Sequence, residues 1–416
     1  MDNTLPPGIQ NPSNFCYIIS TIQCLKNLRS IKKFINQNTN FDKIMTVILN
    51  GYGFKVMNKD KFIESINTLK NKLDTNDEEV INIKSKIMTQ LEISDTQFSW
   101  FLNKIRDNNN NMYMYFAYLN LLKRLLSQTN IVLDMREFIT IFRIVTRDNG
   151  NQYISMGQND ASEFLTFLID YFHESHSVSV GFNKEEPQEK MRDFVIEKMP
   201  LEQRIRIGFL KHFKNSVKNS FTTLIPDLHH YTLNMIKCKE CGFANLSYAM
   251  ENILCLSLYQ KDKGGSTLSI YDTLDKHFSD EMLEGYSCDK CKNKDGNTIS
   301  KMILTNPDTF IICLKRTGYN VDTNSMEKIN IKVEYPLFLN LDKYYPRYMN
   351  SDTNANYKLS GVVNQVGDNN FGHYFSFVYD DNLEKWLLCN DERVQFMDEH
   401  KVINSDNAYL LFYQKV

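Results

Sequence analysis

The chain has 416 residues, of which 42% are hydrophobic and 24% charged, and its formal net charge is −2. Length and composition predict a globular protein with a substantial core, and the near-neutral charge lacks the basic excess of nucleic-acid binders. No apolar run approaches the roughly 20 residues that cross a bilayer, and the N-terminal stretch does not resemble a secretory signal. We therefore expect a monomer in the cytoplasm, with the nucleus left open, and neither a nucleic-acid nor a membrane partner.

The first predicted element is a helix that begins near Cys16. Ile18 and Ile22 recur at helical spacing, and Ser13 or Asn14 suits the position that caps the N-terminus of a helix. Taken alone, this stretch allows either a buried cysteine or a nucleophile held at a helix start.

The next segment, from about 31 to 111, is charged and rich in asparagine, and we interpret it as a helical insertion. One amphipathic stripe within it is formed by Phe62, Ile66, Leu69 and Leu73. The run "DNNNN" at 107–111 predicts an exposed loop. Further helices are predicted at 112–126 and 158–173.

The pattern changes after about residue 220, where short β-rich runs are bounded by Gly, Pro, Asn or Asp. These runs are "ENILCLSL", "DTFIICLKR", "YKLSGVVNQVG", "HYFSFVYDD", "KWLLCNDERV" and "AYLLFY". Helices that precede a sheet, without alternation of strands and helices, predict an α+β fold rather than a doubly wound one.

Nine cysteines in a chain without a secretory signal favour metal binding or catalysis over a disulfide framework. Four of them form two CxxC pairs, which are Cys238 with Cys241 and Cys288 with Cys291. Each CxxC turn directs two thiolates to one point, and two such turns complete a tetrahedral shell for Zn²⁺. Because all four ligands are cysteines, the zinc would be structural. The alternative is four structural cysteines without a metal.

Cys16 is the candidate nucleophile because a helix N-terminus favours the thiolate form of a cysteine. At that position its backbone N–H and a nearby side-chain amide, such as that of Asn11, are suited to stabilise an oxyanion. The alternative is that Cys16 is an ordinary core residue.

A cysteine nucleophile needs a base, and His373 is the candidate because it follows a glycine at the start of a β-rich run. We interpret His173 and His176 as a solvated helix end, and His229 and His230 as loop residues.

A third group has to hold the orientation of the imidazole, which an amide or a carboxylate can do. Asn390 and Asp391 lie side by side in the strand that follows the histidine strand. The alternative is a turn-forming Asn-Asp pair.

These stretches resemble the motifs of the ubiquitin-specific protease family, papain-like cysteine deubiquitinases, in the same order. "GIQNPSNFCYIISTIQCL" is similar to the family's Cys box, and "QNDASEFL" to its Q-Q-D-A-x-E-F-L helix start. "TFIICLKR" is similar to its L-x-I-x-L-K-R-F strand. "GVVNQVGDNNFGHYFSFV", "WLLCNDERV" and "AYLLFY" resemble its His box and closing strands.

The resemblance implies that Cys16 is the nucleophile, His373 the general base and Asn390 the third triad residue. It implies that Asn11 supplies the oxyanion-hole amide, that Asp391 assists, and that ubiquitin or ubiquitinated proteins are the partners.

The implied fold has three lobes. They are a helical thumb over 1–178 with the insertion at about 31–111, zinc-ribbon fingers over 220–305, and a palm sheet formed with its connections by 179–219 and 306–416.

The chain departs from the Cys box at three positions, where Ser13 replaces a glycine, Phe15 a threonine and Ile19 an asparagine. None of these changes removes a reacting group. The alternative function is a catalytically weak or inactive ubiquitin-binding scaffold of the same fold, favoured if Ser13 and Phe15 block the channel. A zinc-ribbon interaction protein without hydrolytic activity is favoured if the similarity to the Cys box is chance.

Overall fold

The structure is a computed structural model that describes residues 4–38, 64, 71, 78–91, 94–96, 98–99, 103, 109–148, 159–182, 196–259, 267–320, 324–346, 354–367 and 372–416. The chain forms two compact units. The first comprises Met1–Lys26, Ile31–Ser177 and Cys389–Gln395, and the second comprises Asn27–Ser30, Val178–Leu388 and Phe396–Val416.

The first unit is built mainly from helices. They are α1 (Cys16–Leu25), α2 (Arg29–Gln37, from residue 31 in this unit), α3 (Glu78–Leu91), α4 (Asn109–Ser127), α5 (Arg136–Asp148) and α6 (Ala161–His176). Two short strands, β1 (Gly8–Ile9) and β2 (Val132–Leu133), pair in parallel. The predicted helices at 16, 112–126 and 158–173 are confirmed, whereas the stripe from Phe62 to Leu73 lies outside the described residues.

Two predictions for this unit are wrong. The run at 107–111 is not a loop throughout, since α4 begins at Asn109 and its helical hydrogen bonding competes successfully with the turn preference of asparagine. His176 is not solvated but buried, with its ring against those of Phe34 and Tyr115 at centroid distances of 5.1 and 4.4 Å. An imidazole at the end of an amphipathic helix can therefore serve as an aromatic core residue.

The second unit contains most of the strands. They are β3 (His230–Lys237), β4 (Ala244–Glu251), β5 (Leu254–Ser257), β6 (Thr267–Ser269), β7 (Glu281–Leu283), β8 (Asn297–Ile303), β9 (Thr309–Lys315), β10 (Thr317–Asn320), β11 (Ser325–Lys328), β12 (Lys332–Glu334), β13 (Phe338–Asn340), β14 (Asn356–Gly367), β15 (Gly372–Asp380), β16 (Lys385–Asn390), β17 (Arg393–Met397) and β18 (Ala408–Lys415). Its helices are α7 (Leu201–Val217), α8 (Leu224–Leu228), α9 (Ile270–His277), α10 (Glu399–Ile403) and a 3₁₀ helix at Asp342–Tyr344. Residues 389–395 of β16 and β17 are counted with the first unit.

Two main sheets organise these strands. The larger has the order β17-β16-β15-β14-β18-β9-β5, with β13 paired to β14, and the smaller has the order β4-β3-β8-β7. The strand β9 lies between β18 and β5, and its sequence, TFIICLK, is buried on both faces up to the final lysine. The predicted β-rich C-terminal half and the α+β class are confirmed.

The prediction of a loop residue is confirmed for His229, which lies between α8 and β3, and is wrong for His230. His229 follows α8, and His230 is the first residue of β3, with none of its surface exposed. The ring of His230 contacts that of Phe310 at a centroid distance of 4.8 Å, and Pro226 and Asp227 before it belong to α8 rather than to a turn.

Candidate functional site

Cys16 is the first residue of α1, as the sequence predicts, and only 4% of its surface is exposed. The first N–H groups of a helix have no intrahelical partner and carry partial positive charge. The position before the helix is Phe15, whose side chain makes no capping bond, so the predicted capping by Ser13 or Asn14 is wrong.

The side chain of Asn11 stabilises the loop that leads to Cys16. Its Oδ1 accepts hydrogen bonds from the backbone N–H of Ser13 and of Phe15, each with a length of 3.2 Å. Its Nδ2 donates to Asp391 Oδ2 at 3.0 Å. Both ends of the amide are thereby oriented, and the loop before Cys16 is held by this one side chain.

The turn at Asp391 is anchored to the N-terminal segment in two further ways. The backbone oxygen of Asp391 accepts a hydrogen bond of 2.8 Å from the N–H of Ile9, and Asp391 itself has a φ of 49°. A Cβ on Gly8 would lie 2.0 Å from the carbonyl oxygen of Glu392, so this approach requires glycine. Sequence reasoning missed this role of Gly8, although the residue is the first of the Cys box.

A cavity of about 360 Å³ lies at this turn and is lined by Asn11, Asn390, Asp391, Glu392 and Arg393. Asn390 is half-buried and ends β16. Within the first unit the structure therefore brings Asn11 and Asp391 into contact, with Asn390 beside them in one cavity.

Two of the three residues that depart from the Cys box, Ser13 and Phe15, have different surroundings. Ser13 is exposed. It is not one of the described residues with a positive φ, so its backbone conformation does not require a glycine. Phe15 is 8% exposed and packs inward, with the guanidinium carbon of Arg143 5.1 Å from its ring centroid. Arg143 is a neighbour that the sequence pattern did not indicate.

Tyr17 extends the packing around the start of α1. Its hydroxyl accepts a hydrogen bond of 3.2 Å from Asn159 Nδ2, and its ring meets that of Phe164 edge-on at 5.9 Å. Burial raises the pKa of Tyr17 to about 12, which keeps its hydroxyl neutral. Asp160 caps α6 by accepting from the N–H groups of Ser162 and Glu163.

His373 is described within the second unit. It is the second residue of β15, is half-buried, and stands opposite Val366 of β14. Its predicted position at a strand start is confirmed. Of the five predicted catalytic residues, the other four, Cys16, Asn11, Asn390 and Asp391, belong to the first unit.

The four cysteines of the CxxC pairs converge in the second unit. Their sulfur atoms all lie within 4.8 Å of one another, with Cys238 Sγ 3.6 Å from Cys291 Sγ and Cys241 Sγ 3.7 Å from Cys288 Sγ. Tetrahedral Zn²⁺ with Zn–S bonds of about 2.3 Å requires sulfur separations of about 3.8 Å. The spacing of the thiols therefore fits this ion.

The two CxxC turns have the same backbone geometry. In the first, Gly242 N–H donates to Cys238 O at 3.0 Å, and in the second, Lys292 N–H donates to Cys288 O at 2.9 Å. Gly242 and Lys292 have φ values of 66° and 63°. Two equivalent turns that face each other are the arrangement of a closed, structural metal site.

The thiols of this cluster influence each other's ionisation. The backbone N–H of Cys241 lowers the pKa of Cys238 to about 6, and that of Cys291 lowers the pKa of Cys288. The N–H of Asn293 also acts to lower the pKa of Cys291, but burial and the other three sulfurs raise it, and the net value is about 12. A dication would remove this mutual penalty because it pairs with all four thiolates.

Comparison with known proteins identifies the family. The family model described as ubiquitin carboxyl-terminal hydrolase matches residues 7–413, which is almost the whole chain. The chain belongs to this family.

Relatives within the ubiquitin carboxyl-terminal hydrolase family are distant. Ubiquitin carboxyl-terminal hydrolase 5 of Saccharomyces cerevisiae is 26% identical over 280 residues, which cover 64% of this chain and 33% of the relative. Ubiquitin carboxyl-terminal hydrolase 21 of Homo sapiens is 24% identical over 286 residues, which cover 66% of this chain and 49% of the relative. The chain thus spans between a third and a half of the length of these relatives.

Solved structures show the same fold. The SAGA DUB module bound to monoubiquitin matches with a TM-score of 0.58 and 19% identity, over 99% of this chain and 69% of the other. The same module bound to ubiquitin aldehyde matches with a TM-score of 0.59. The predicted papain-like α+β fold of the family is confirmed. No helix in the described part of the chain has the length and apolarity of a membrane span.

Proposed function

We propose that this chain is a cysteine-type deubiquitinase that hydrolyses the peptide or isopeptide bond after the C-terminal glycine of ubiquitin. The observation that carries the proposal is the contact of Asn11 with Asp391 beside Cys16 at the N-terminus of α1. This contact orients the Asn11 amide near the thiol at the helix start. The chain also belongs to the ubiquitin carboxyl-terminal hydrolase family.

In the proposed reaction His373 removes the proton of the Cys16 thiol or holds the thiolate in an ion pair. The thiolate attacks the glycine carbonyl, and the resulting tetrahedral oxyanion accepts hydrogen bonds from Asn11 and the Cys16 N–H. His373 then protonates the leaving lysine amine, and a water activated by the same imidazole hydrolyses the acyl-enzyme. Asn390 orients the imidazole of His373.

Asp391 acts in this proposal as a positioning residue. An amide nitrogen carries two hydrogens, and the bond from Asn11 Nδ2 to Asp391 uses one of them. The other hydrogen is the one we assign to the oxyanion. A carboxylate acceptor strengthens and aligns the donor, so the amide is fixed before the substrate arrives.

We further propose that the four-cysteine cluster binds structural Zn²⁺ through Cys238, Cys241, Cys288 and Cys291. With four thiolate ligands such a site has no open position for water, so the ion stabilises the local fold and takes no part in hydrolysis. We assign the thumb to 1–178, the fingers to 220–305 and the palm to the remaining segments. The structural neighbours are bound to monoubiquitin and to ubiquitin aldehyde, which supports ubiquitin as the partner.

The second candidate function is an inactive ubiquitin-binding scaffold. The observation that favours it is the replacement of two Cys-box residues next to the nucleophile, by Ser13 and Phe15. The inward packing of Phe15 and the exposure of Ser13 favour the enzyme.

Ubiquitin carrying an electrophile at its C-terminal glycine tests the proposal. We expect the chain to form a covalent adduct, visible by intact mass, that is lost in Cys16→Ala. Cys24→Ala is the matched control because Cys24 is a second buried cysteine of α1, and this variant should keep the adduct. Binding of ubiquitin without an adduct would instead establish the scaffold.

A further inference from the structure

Two cysteines outside the zinc cluster and the catalytic residues lie side by side in the large sheet. The strands β5 and β9 are parallel, and Cys255 stands directly opposite Cys313 in their register. Neighbouring strands are separated by about 4.8 Å. This spacing lies within the roughly 4.4–6.8 Å that separates the Cα atoms of a disulfide.

The two thiols also point to the same face of the sheet. Leu254 with Ile312, and Leu256 with Leu314, are the flanking pairs in the register, and all four residues belong to one hydrophobic core. Because side chains alternate along a strand, Cys255 and Cys313 project from the opposite face.

The accessibility of the two thiols differs. Cys255 is partly exposed, whereas Cys313 is only 2% exposed. An oxidant from solution therefore meets Cys255 first, and Cys313 is placed to react with the product.

We infer that Cys255 and Cys313 are a redox modification site that forms a reversible disulfide. With glutathione disulfide as the oxidant, the Cys255 thiolate attacks one of its sulfurs, forms a mixed disulfide and releases one glutathione. The Cys313 thiolate then attacks the Cys255 sulfur, forms the intramolecular bond and releases the second glutathione. The two protein thiols lose two protons and two electrons, and these convert glutathione disulfide to two molecules of glutathione.

The sheet geometry explains why the bond is reversible. In-register side chains of parallel strands stand about one strand spacing apart, ~4.8 Å, whereas the Cβ atoms of a disulfide lie about 3.8 Å apart. The strands have to approach each other to form the bond, and a strained disulfide is reduced more easily than a relaxed one. The bond closes a loop that contains Cys288 and Cys291, and it fixes β5, the last strand in the order of the described sheet, to its neighbour.

The experiment equilibrates the zinc-loaded chain at several ratios of glutathione to glutathione disulfide. The remaining free thiols are then alkylated, and the disulfides are mapped by mass spectrometry. We expect a cross-linked peptide pair containing Cys255 and Cys313 that disappears as the buffer becomes more reducing. In Cys313→Ser we expect Cys255 to carry glutathione instead, and in Cys255→Ser we expect Cys313 to stay reduced. Cys24→Ser is the control and should keep the cross-link.

If a variant fails to fold, the cross-link in the wild-type chain alone tests the inference. Absence of the cross-link at every ratio, with native circular dichroism and full zinc content, would overturn the inference. A cross-link joining Cys255 to a zinc-cluster cysteine would overturn it as well. Because neither thiol belongs to the proposed catalytic machinery, this result is independent of the reaction with the ubiquitin electrophile.

Discussion

Asn11 and Asp391 lie 380 positions apart in the sequence, and a hydrogen bond of 3.0 Å joins Asn11 Nδ2 to Asp391 Oδ2. The same amide accepts two backbone N–H groups of the loop before Cys16 through its oxygen. One side chain therefore links the loop of the proposed nucleophile to the turn that follows β16.

A double-mutant cycle measures whether this link acts in catalysis. Asn11→Ala should lower kcat roughly 100-fold, because oxyanion donors are worth that much in comparable enzymes. Asp391→Ala should lower kcat about tenfold through loss of a charge-assisted hydrogen bond. The double variant should resemble Asn11→Ala, since Asp391 acts through the amide. Additive losses with ubiquitin-rhodamine-type substrates would instead show that Asp391 acts independently.

Gly8→Ala should destabilise the first unit. Its new Cβ would meet the carbonyl oxygen of Glu392 at 2.0 Å, and backbone on both sides would have to move. Overpacking of this kind lowers the free energy of unfolding by about 1–3 kcal/mol. Urea denaturation measures the change, and Gly181→Ala is the control because nothing lies within 4 Å of its Cβ position. Equal stability of the two variants would contradict the close approach.

Ser13→Gly and Phe15→Thr restore the family's residues, but neither should raise the turnover of the ubiquitin substrate. Ser13 has no left-handed backbone for a glycine to relieve, so its variant should change kcat less than about twofold. Phe15→Thr removes a buried ring and its contact with Arg143, which should lower the free energy of unfolding by about 2 kcal/mol or more. A large gain in kcat from either change would show that these residues obstruct the cleft.

The sequence indicated the elements of this site better than their connections. The helix start at Cys16 and the strand start at His373 follow from local periodicity and turn residues, so they could be predicted. The bond between Asn11 and Asp391 depends on side-chain orientation across a long sequence separation, which no local pattern encodes.

Two of the wrong predictions concern histidines. We predicted His176 at a solvated helix end and His230 in a loop, yet both are buried, and each packs against an aromatic ring, that of Tyr115 and that of Phe310 respectively. The prediction of Ser13 or Asn14 at the capping position is wrong because α1 begins directly after Phe15. Asn11 binds the N–H groups of Ser13 and Phe15, which belong to the loop before the helix.

Removal of one thiolate should abolish zinc binding. Cys291→Ser should reduce the zinc content from about one equivalent per chain to well below one, because the cluster found among the described residues consists of these four cysteines. Lys292→Gly is the matched control, since it alters the same turn without removing a ligand and suits the positive φ at that position. Elemental analysis of the purified variants gives the content, and zinc bound fully by Cys291→Ser would contradict the proposed site.

The environment of His230 predicts that the free energy of unfolding depends on pH in the acidic range. Burial, together with the nearby His229 and His277, lowers the pKa of His230 to about 3. Burial likewise lowers the pKa of His277 to about 4. Glu251 lies opposite His230, with 3.8 Å between Oε2 and Nε2, and burial raises the pKa of this carboxyl, so its protonation has the opposite effect on stability.

His230→Phe should therefore reduce the acid sensitivity of folding. An unfolded histidine takes up a proton near pH 6.5, whereas folded His230 resists it down to about pH 3, so the unfolded state binds more protons in this window. Stability due to this group is complete above pH 6.5 and falls below it by up to about 1.4 kcal/mol per pH unit. Phenylalanine keeps the ring contact with Phe310 but cannot titrate. Urea denaturation at pH 7.5 and 5.5 should therefore show a smaller loss of unfolding free energy than in the wild type. His400→Phe, at an exposed position, is the control, and an equal loss in wild type and His230→Phe would show that His230 does not govern the effect.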